Sequence, residues 1–195
     1  MRRGTRWVVV AALSGLALAA CTSEAETPPP TTPSVTSAVP SPSQTPSPTP
    51  TPDAATPPER PDMSVVDAAT AEAVAKYFLE LYPYVYATGD LAEWRALSHP
   101  ECIFCASVIS NVEEMVAAGE TVSGALVTIS DVMTTQVSDV YFDVELTAQQ
   151  GVSSRLDSSG SLIGTTAPST YRMAVGTLCE DGTWRIRGVD TDMSQ

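Results

Sequence analysis

Cys102-Ile103-Phe104-Cys105 is the one spacing in this 195-residue sequence that suggests chemistry. At the start of a helix the unpaired backbone amides favour a thiolate, and thiol oxidoreductases activate a nucleophile in this way. No strand-helix-strand unit surrounds the motif, however, and bulky Ile103 and Phe104 fill its middle. A structural cystine between Cys102 and Cys105 is therefore preferred to a redox pair, given an oxidising compartment. The chain has four cysteines. With Cys21 assigned elsewhere, three thiols remain, and Cys179 is either free or bridged to Cys102 or Cys105. Loop-closure entropy gives roughly 2 kcal/mol for the local pair and about 4.5 for a bridge to Cys179. Only the local pair is assured of a Cα approach within about 7 Å, so it is chosen. Cys179 then serves as a small core residue beside Trp184.

His99 is the only histidine. Acid-base chemistry near neutral pH would need it, or a carboxylate with a displaced pKa. Next to Pro100 it reads as a loop or helix-end residue. Two cysteines and His99 supply three potential metal ligands without a fourth, so neither a metal nor a cofactor is expected. No Ser-His-Asp order, phosphate-binding glycine loop or carboxylate pair stands out, and no catalytic residue is assigned.

Charge removes further classes. The formal net charge is -13. Residues 1–61 hold four acids and four bases, so the excess falls downstream, where 19 acids face 6 bases. A nucleic-acid binder needs clustered Lys and Arg to neutralise phosphates, and none is expected here. Direct adhesion to anionic lipid headgroups is disfavoured for the same reason.

The elements that position these residues begin with helices. Ser64 and Asp67 form an S-x-x-D start signal, followed by Val74, Tyr77, Phe78, Leu81, Tyr82 and Val85 at spacings of three and four. Pro83 should kink or break this helix, and Gly89 should stop it. Asp90 and Glu93 cap a short second helix through Trp94 and Leu97, closed by Pro100. A third helix carries Phe104, Val108, Val112, Met115 and Val116 on one face and ends at Gly119. At this spacing the Tyr and Trp side chains are core packing rather than an aromatic ligand box.

From Thr121 the hydrophobic period falls to two. Val127 and Ile129 alternate with polar neighbours, as do Val140, Phe142, Val144, Leu146 and Ala148, with Asp143 and Glu145 on the opposite face. Tyr171, Met173, Val175, Thr177 and Cys179 continue the pattern. Asp181-Gly182 is a two-residue hairpin turn that pairs Cys179 with Trp184 and Thr177 with Ile186 on a core-facing side. Residues 153–169 read as a long mobile hairpin tip, with a short strand turn at Leu162 and Ile163. The sum is an α+β domain of about four meandering strands wrapped around the first helix.

The N-terminus reads as an address. Arg2, Arg3 and Arg6 precede an uncharged run from Trp7 to Ala20, too short for the roughly twenty residues of a spanning helix. Leu18-Ala19-Ala20-Cys21 resembles a bacterial lipobox. The resemblance implies a diacylglyceryl thioether on Cys21, cleavage before it, and acyl chains such as palmitate that hold the mature protein on the outer face of the cytoplasmic membrane. Residues 22–61 contain 13 Pro and 15 Ser or Thr. Such a segment cannot offset its ordering entropy and is expected to be an extended, disordered tether with a reach on the order of 120 Å, open to glycosylation. The expected organisation is a signal peptide over 1–20, a tether over 21–61 and one globular domain over 62–195.

The element order, three helices and then hairpins ending in Trp184-Arg185-Ile186-Arg187, resembles the nuclear-transport-factor-like cone, also found in polyketide-cyclase-like proteins. The stretch Asp90 to Cys105, DLAEWRALSHPECIFC, together with the lipobox and spacer, is similar to an uncharacterised family of actinobacterial lipoproteins with a domain of unknown function. These resemblances imply N-terminal helices on a curved antiparallel sheet, a cystatin-like cone, and carry no known substrate or catalytic residues. Enzymes of that fold place Asp, His or Tyr inside the cone, where Tyr77, Tyr82, Asp131 or Asp143 would stand, although Asp143 belongs on the solvated strand face. The expected function is a monomeric, non-catalytic, lipid-anchored domain that binds a small ligand or cell-envelope protein. A thiol-disulfide protein using Cys102 and Cys105 and a small cone-fold enzyme using His99 or a buried carboxylate are the alternatives.

Overall fold

The structure, a computed structural model, describes residues 54–193. The expected signal segment, Cys21 and most of the expected tether lie outside them. Helix α1 spans Ala68–Thr88, α2 Ala92–Leu97 and α3 Ile103–Ala117. Seven strands follow: β1 Thr121–Gly124, β2 Val127–Gln136, β3 Tyr141–Gln150, β4 Ser153–Leu156, β5 Leu162–Thr166, β6 Ser169–Glu180 and β7 Thr183–Met193. The fold is α+β, with the helices packed against antiparallel sheets.

Asp67 caps α1, its Oδ1 accepting from the Thr70 amide at 2.8 Å. Ser64 does not, because its own N–H donates to Asp62 Oδ1 at 2.9 Å in a local turn, and the helix starts three residues later than its S-x-x-D signal implies. Pro83 neither breaks nor divides α1, which runs unbroken through it. The proline forfeits the hydrogen bond to the Leu79 carbonyl. Leu81 and Val85, buried on either side, keep both segments in the core. Gly89 stops the helix as expected, at φ 74° with its amide bonded to Val85 O.

Asp90 serves α2, accepting from the Ala92 amide at 3.0 Å. Glu93 does not complete a reciprocal cap. It pairs with Arg60 at 3.3 Å instead, so the chain already docks on the domain within the segment assigned to the tether. On α3, Val108, Val112 and Met115 are buried, while Val116 turns outward and is 52% exposed. The core centres on Phe78, stacked on Trp94 at 3.9 Å, with the Trp94 indole N–H donating to Cys105 O at 3.2 Å.

The strands form two sheets rather than one meander, in the orders β2-β3-β6-β7 and β1-β4-β5. The second sheet is the bent end of the first. β1 leads through Ala125 and Leu126 into β2, and β3 through Gly151 and Val152 into β4. At the bend the Ala125 amide donates to Val152 O, and the Gly151 amide to Leu126 O, each at 2.9 Å. Gly124 permits this approach: at φ 81°, a Cβ there would lie 2.4 Å from the Val152 carbonyl oxygen. Residues 153–169 therefore form a hairpin of two paired strands, β5 taking up the short strand turn expected at Leu162 and Ile163, rather than a loose tip. Asp157 closes it, its Oδ1 accepting from the amides of Ser159 and Ser161.

The inner row of β3 is Phe142, Val144, Leu146 and Ala148, all buried, with Asp143 and Glu145 on the outer face. Val140 stands ahead of the strand and is 42% exposed instead of heading that row. The β6–β7 hairpin has the expected register, Cys179 opposite Trp184 and Thr177 opposite Ile186, with all four buried. Arg187 is then an extra residue: Thr177 faces Ile186 but Gly176 faces Gly188. This bulge switches the inward positions of β7 from even to odd numbers, so that Val189 and Thr191 follow Trp184 and Ile186 on the inner side. Among the described residues, no helix is long and apolar enough to cross a membrane.

Candidate functional site

Cys102 and Cys105 are joined, with their Cα atoms 5.2 Å apart, and Cys179 is free and buried. Cys102 is the N-cap of α3 and its Sγ accepts the Cys105 amide at 3.1 Å. Both bridged residues are 1% exposed, while Ile103 between them is 85% exposed. The motif thus presents an apolar side chain to solvent and keeps its sulfurs inside, where an attacking thiolate has no approach.

His99 lines neither chamber of the cleft described below. Its backbone amide donates to Ile186 O at 3.0 Å, and its Nδ1 accepts the Glu101 amide at 3.1 Å. Its Nε2 faces Glu180 at 4.0 Å. It ties the loop before α3 to the end of the β6–β7 hairpin. Asp131 sits exposed at a bulge in β2 with φ 52°. Tyr77 is buried, and burial together with the nearby Glu93 carboxylate raises its phenol above the ordinary value. Among the described residues, no group of three or more His, Cys, Asp or Glu is arranged to hold a metal ion.

The hollow lies at the other end of the sheet, between α1, α3 and the bent strands. An inner chamber of about 180 Å³ is walled by Leu79 and Tyr82 of α1, Phe104 of α3, and Val127, Ala148, Tyr171 and Met173 of the sheet. It borders an outer basin of about 680 Å³ that shares Tyr82, Gln150 and Tyr171 with it. Tyr86, Asn111, Glu114, Ser153, Arg155 and Thr166 complete the basin. Roughly 300–1,000 Å³ is the range of small-ligand sites, and the basin falls within it.

Each wall follows from the elements. Tyr82 and Tyr86, four apart, share one face of α1, with ring centroids 4.8 Å apart. Gln150 occupies the next inward position of β3 after Ala148, so the apolar row ends in an amide. Tyr171 does the same on β6, two residues beyond Met173. The bend at Gly124 and Gly151 swings β4 over the opening and brings Ser153 and Arg155 to the rim.

Burial holds the Tyr82 phenol well above its ordinary value, and the neighbouring hydroxyls of Tyr86 and, less strongly, Tyr171 push the same way. Arg155 is ion-paired with Glu120. Glu114, on the exposed face of α3, accepts from Ser110 Oγ at 3.4 Å. The side chains of Asn111, Gln150, Ser153, Thr166 and Tyr171 make no hydrogen bond to other described residues. The site therefore offers aromatic rings and mostly uncharged donors and acceptors, with Glu114 and the ion-paired Arg155 as its charged members and no histidine or cysteine among the lining residues.

Sequence reasoning named Tyr82 and missed the rest. Gln150 was detectable as a polar residue at an inward strand position, where the alternation from Phe142 to Ala148 demands an apolar one. Ser153, Arg155 and Thr166 were hidden because their segment reads as a tip.

A model of the family of unknown function DUF6318 matches residues 46–190. The chain belongs to this family. No curated protein matches the DUF6318 chain in sequence. Among solved structures, the intermembrane space region of chloroplast protein ARC6 is similar, with a TM-score of 0.51, 13% identity, and coverage of 66% of this chain and 98% of that one. At that identity the likeness is one of fold. An uncharacterised protein with a cystatin-like fold from Caulobacter vibrioides gives a TM-score of 0.42 at 7% identity, over 64% of this chain and 90% of that one. The Kfla4162 protein of Kribbella flavida gives 0.46 at 10% identity, over 66% and 94%.

Proposed function

We propose that this DUF6318 protein is an exported lipoprotein, anchored through Cys21 and carried on the Pro/Ser/Thr tether, whose domain binds a small ligand without catalysis. The observation that carries the binding part is the two-chambered cleft, apolar within and polar at its mouth, lined by five uncharged polar side chains that make no hydrogen bond to other described residues. Anchor and tether rest on the sequence: a basic segment, a short apolar run, Leu18-Ala19-Ala20-Cys21 and thirteen prolines in forty residues. A thiol-exchange role is poorly served by sulfurs in residues 1% exposed. An acid-base role for His99 is poorly served by its position away from the cleft.

Two experiments test the proposal. The uncharged fluorophore N-phenyl-1-naphthylamine should bind the purified domain with saturable enhancement. Ala148→Phe, which fills the inner chamber, should abolish that signal. Enhancement unchanged by Ala148→Phe would remove the cleft as the site. For the anchor, membrane-fraction protein should carry an acylated N-terminal Cys21 by mass spectrometry, and Cys21→Ser should release it. An intact N-terminal methionine on unacylated protein would end that part.

A further inference from the structure

We infer that the cleft takes a neutral polyhydroxylated ligand, a carbohydrate chain, laid along the tyrosines of α1 and β6. The inference rests on the reading of the cleft as a binding site and narrows its occupant by three features.

The first is the state of its polar groups. Ser153 is only 8% exposed and lines the basin, and its hydroxyl makes no hydrogen bond to other described residues. Half-buried Gln150 and Tyr171, and Asn111 and Thr166 exposed at the mouth, likewise have side chains without a hydrogen bond to other described residues. A purely apolar ligand would bury these groups unpaired, at a cost for each. A ligand rich in hydroxyls, each both donor and acceptor, satisfies amides and hydroxyls together.

The second is the aromatic content. Tyr82 and Tyr86 lie with ring centroids 4.8 Å apart, and Tyr171 faces them from the sheet. The C–H face of a sugar ring is apolar and slightly positive, which complements the electron-rich face of a phenol ring. Tyrosine also offers this area with few rotatable bonds to immobilise.

The third is charge. Arg155 is the basic side chain at the rim, and its guanidinium is engaged by Glu120. Glu114 adds a negative charge, and the whole chain stands at -13. An anionic ligand would be repelled on approach and find no free cation. A cationic one would find in the basin a single carboxylate, on an exposed helix face.

The test is a titration of the folded protein, ¹³C-labelled at tyrosine, followed by NMR. Maltotriose, cellotriose and chitotriose are the neutral probes, trigalacturonate the anionic one, and N-phenyl-1-naphthylamine marks an open cleft. At least one neutral trisaccharide should shift the Tyr82, Tyr86 and Tyr171 resonances saturably. Tyr171→Phe and Gln150→Ala should each weaken it by about threefold to tenfold, the value of one hydrogen bond. Trigalacturonate should bind no better than the neutral sugars. If the fluorophore binds and no neutral trisaccharide shifts these tyrosines up to about 10 mM, beyond the millimolar range of weak contacts, the carbohydrate inference falls while the binding cleft stands. If neither binds, both fall. Salt-sensitive preference for trigalacturonate overturns the inference as well.

Discussion

Replacing Cys102 and Cys105 together by alanine should lower stability by an amount that can be worked from their places in the fold. The bridge closes a loop of four residues, for which the chain-entropy relation gives about 2 kcal/mol at room temperature. Cys102 Sγ also accepts the Cys105 amide at the first turn of α3, a bond that alanine cannot make. Loss of such a cap costs up to about 1 kcal/mol. With an unfolding entropy near 2.1 cal/mol/K per residue, a domain of about 130 residues loses roughly 7–11 °C in Tm for about 2–3 kcal/mol. Scanning calorimetry of the oxidised protein and the double variant measures this directly. Burial adds a kinetic expectation. With both residues 1% exposed, reduced glutathione reaches sulfur only after local opening. Reduction of the native protein should be slow and should accelerate steeply with denaturant. A Tm change below about 2 °C would refute the stability reasoning. A reduction rate that is the same in native buffer and in denaturant would refute the burial argument and revive thiol exchange.

Other perturbations reach other parts of the fold. Asp67→Ala removes the acceptor for the Thr70 amide and should cost about 1 kcal/mol, read as a shift in the urea midpoint at constant slope. Gly89→Ala forces a side chain into the left-handed region with a Cβ 2.7 Å from Val116 Cγ2. It should cost on the order of 1–3 kcal/mol, and Gly89→Asn, which tolerates that backbone better, should cost less in the same urea assay. Of the six tyrosines, Tyr82 should ionise last when absorbance at 295 nm is followed with rising pH, since burial lifts its phenol far above the ordinary value. The sign follows: Tyr82 contributes its full stability below pH about 10, and that contribution declines as the unfolded chain's phenol ionises above it. Early ionisation of Tyr82, or stability that holds level above pH 10, would contradict its burial.

Local patterns in the sequence were legible where one element met one rule. The α1 stripe, its stop at Gly89 and the Asp181-Gly182 register depend on neighbours within a few residues, and the structure keeps all three. Pro83 was misjudged because helix propensity is local while the packing of Leu81 and Val85 is tertiary. The second sheet was missed for a related reason. β4 and β5 are short and polar, and their order comes from the bend that folds them against β1 rather than from hydrophobic alternation. The cleft shared that fate, since half its rim belongs to the bent strands. The bulge at Arg187 also left no local signal, because Trp184-Arg185-Ile186 reads as plain alternation until its partner strand is known.

The run of inward residues along β3, greasy from Phe142 to Ala148 and then an amide at Gln150, divides labour lengthwise within a single strand. The end near the β6–β7 turn anchors the fold, and the end near the bend meets the outside. Substitutions at half-buried Gln150 or Tyr171 should therefore cost less in folding than substitutions at Phe142 or Val144, so the lining of the proposed cleft can change while the interior stays alike.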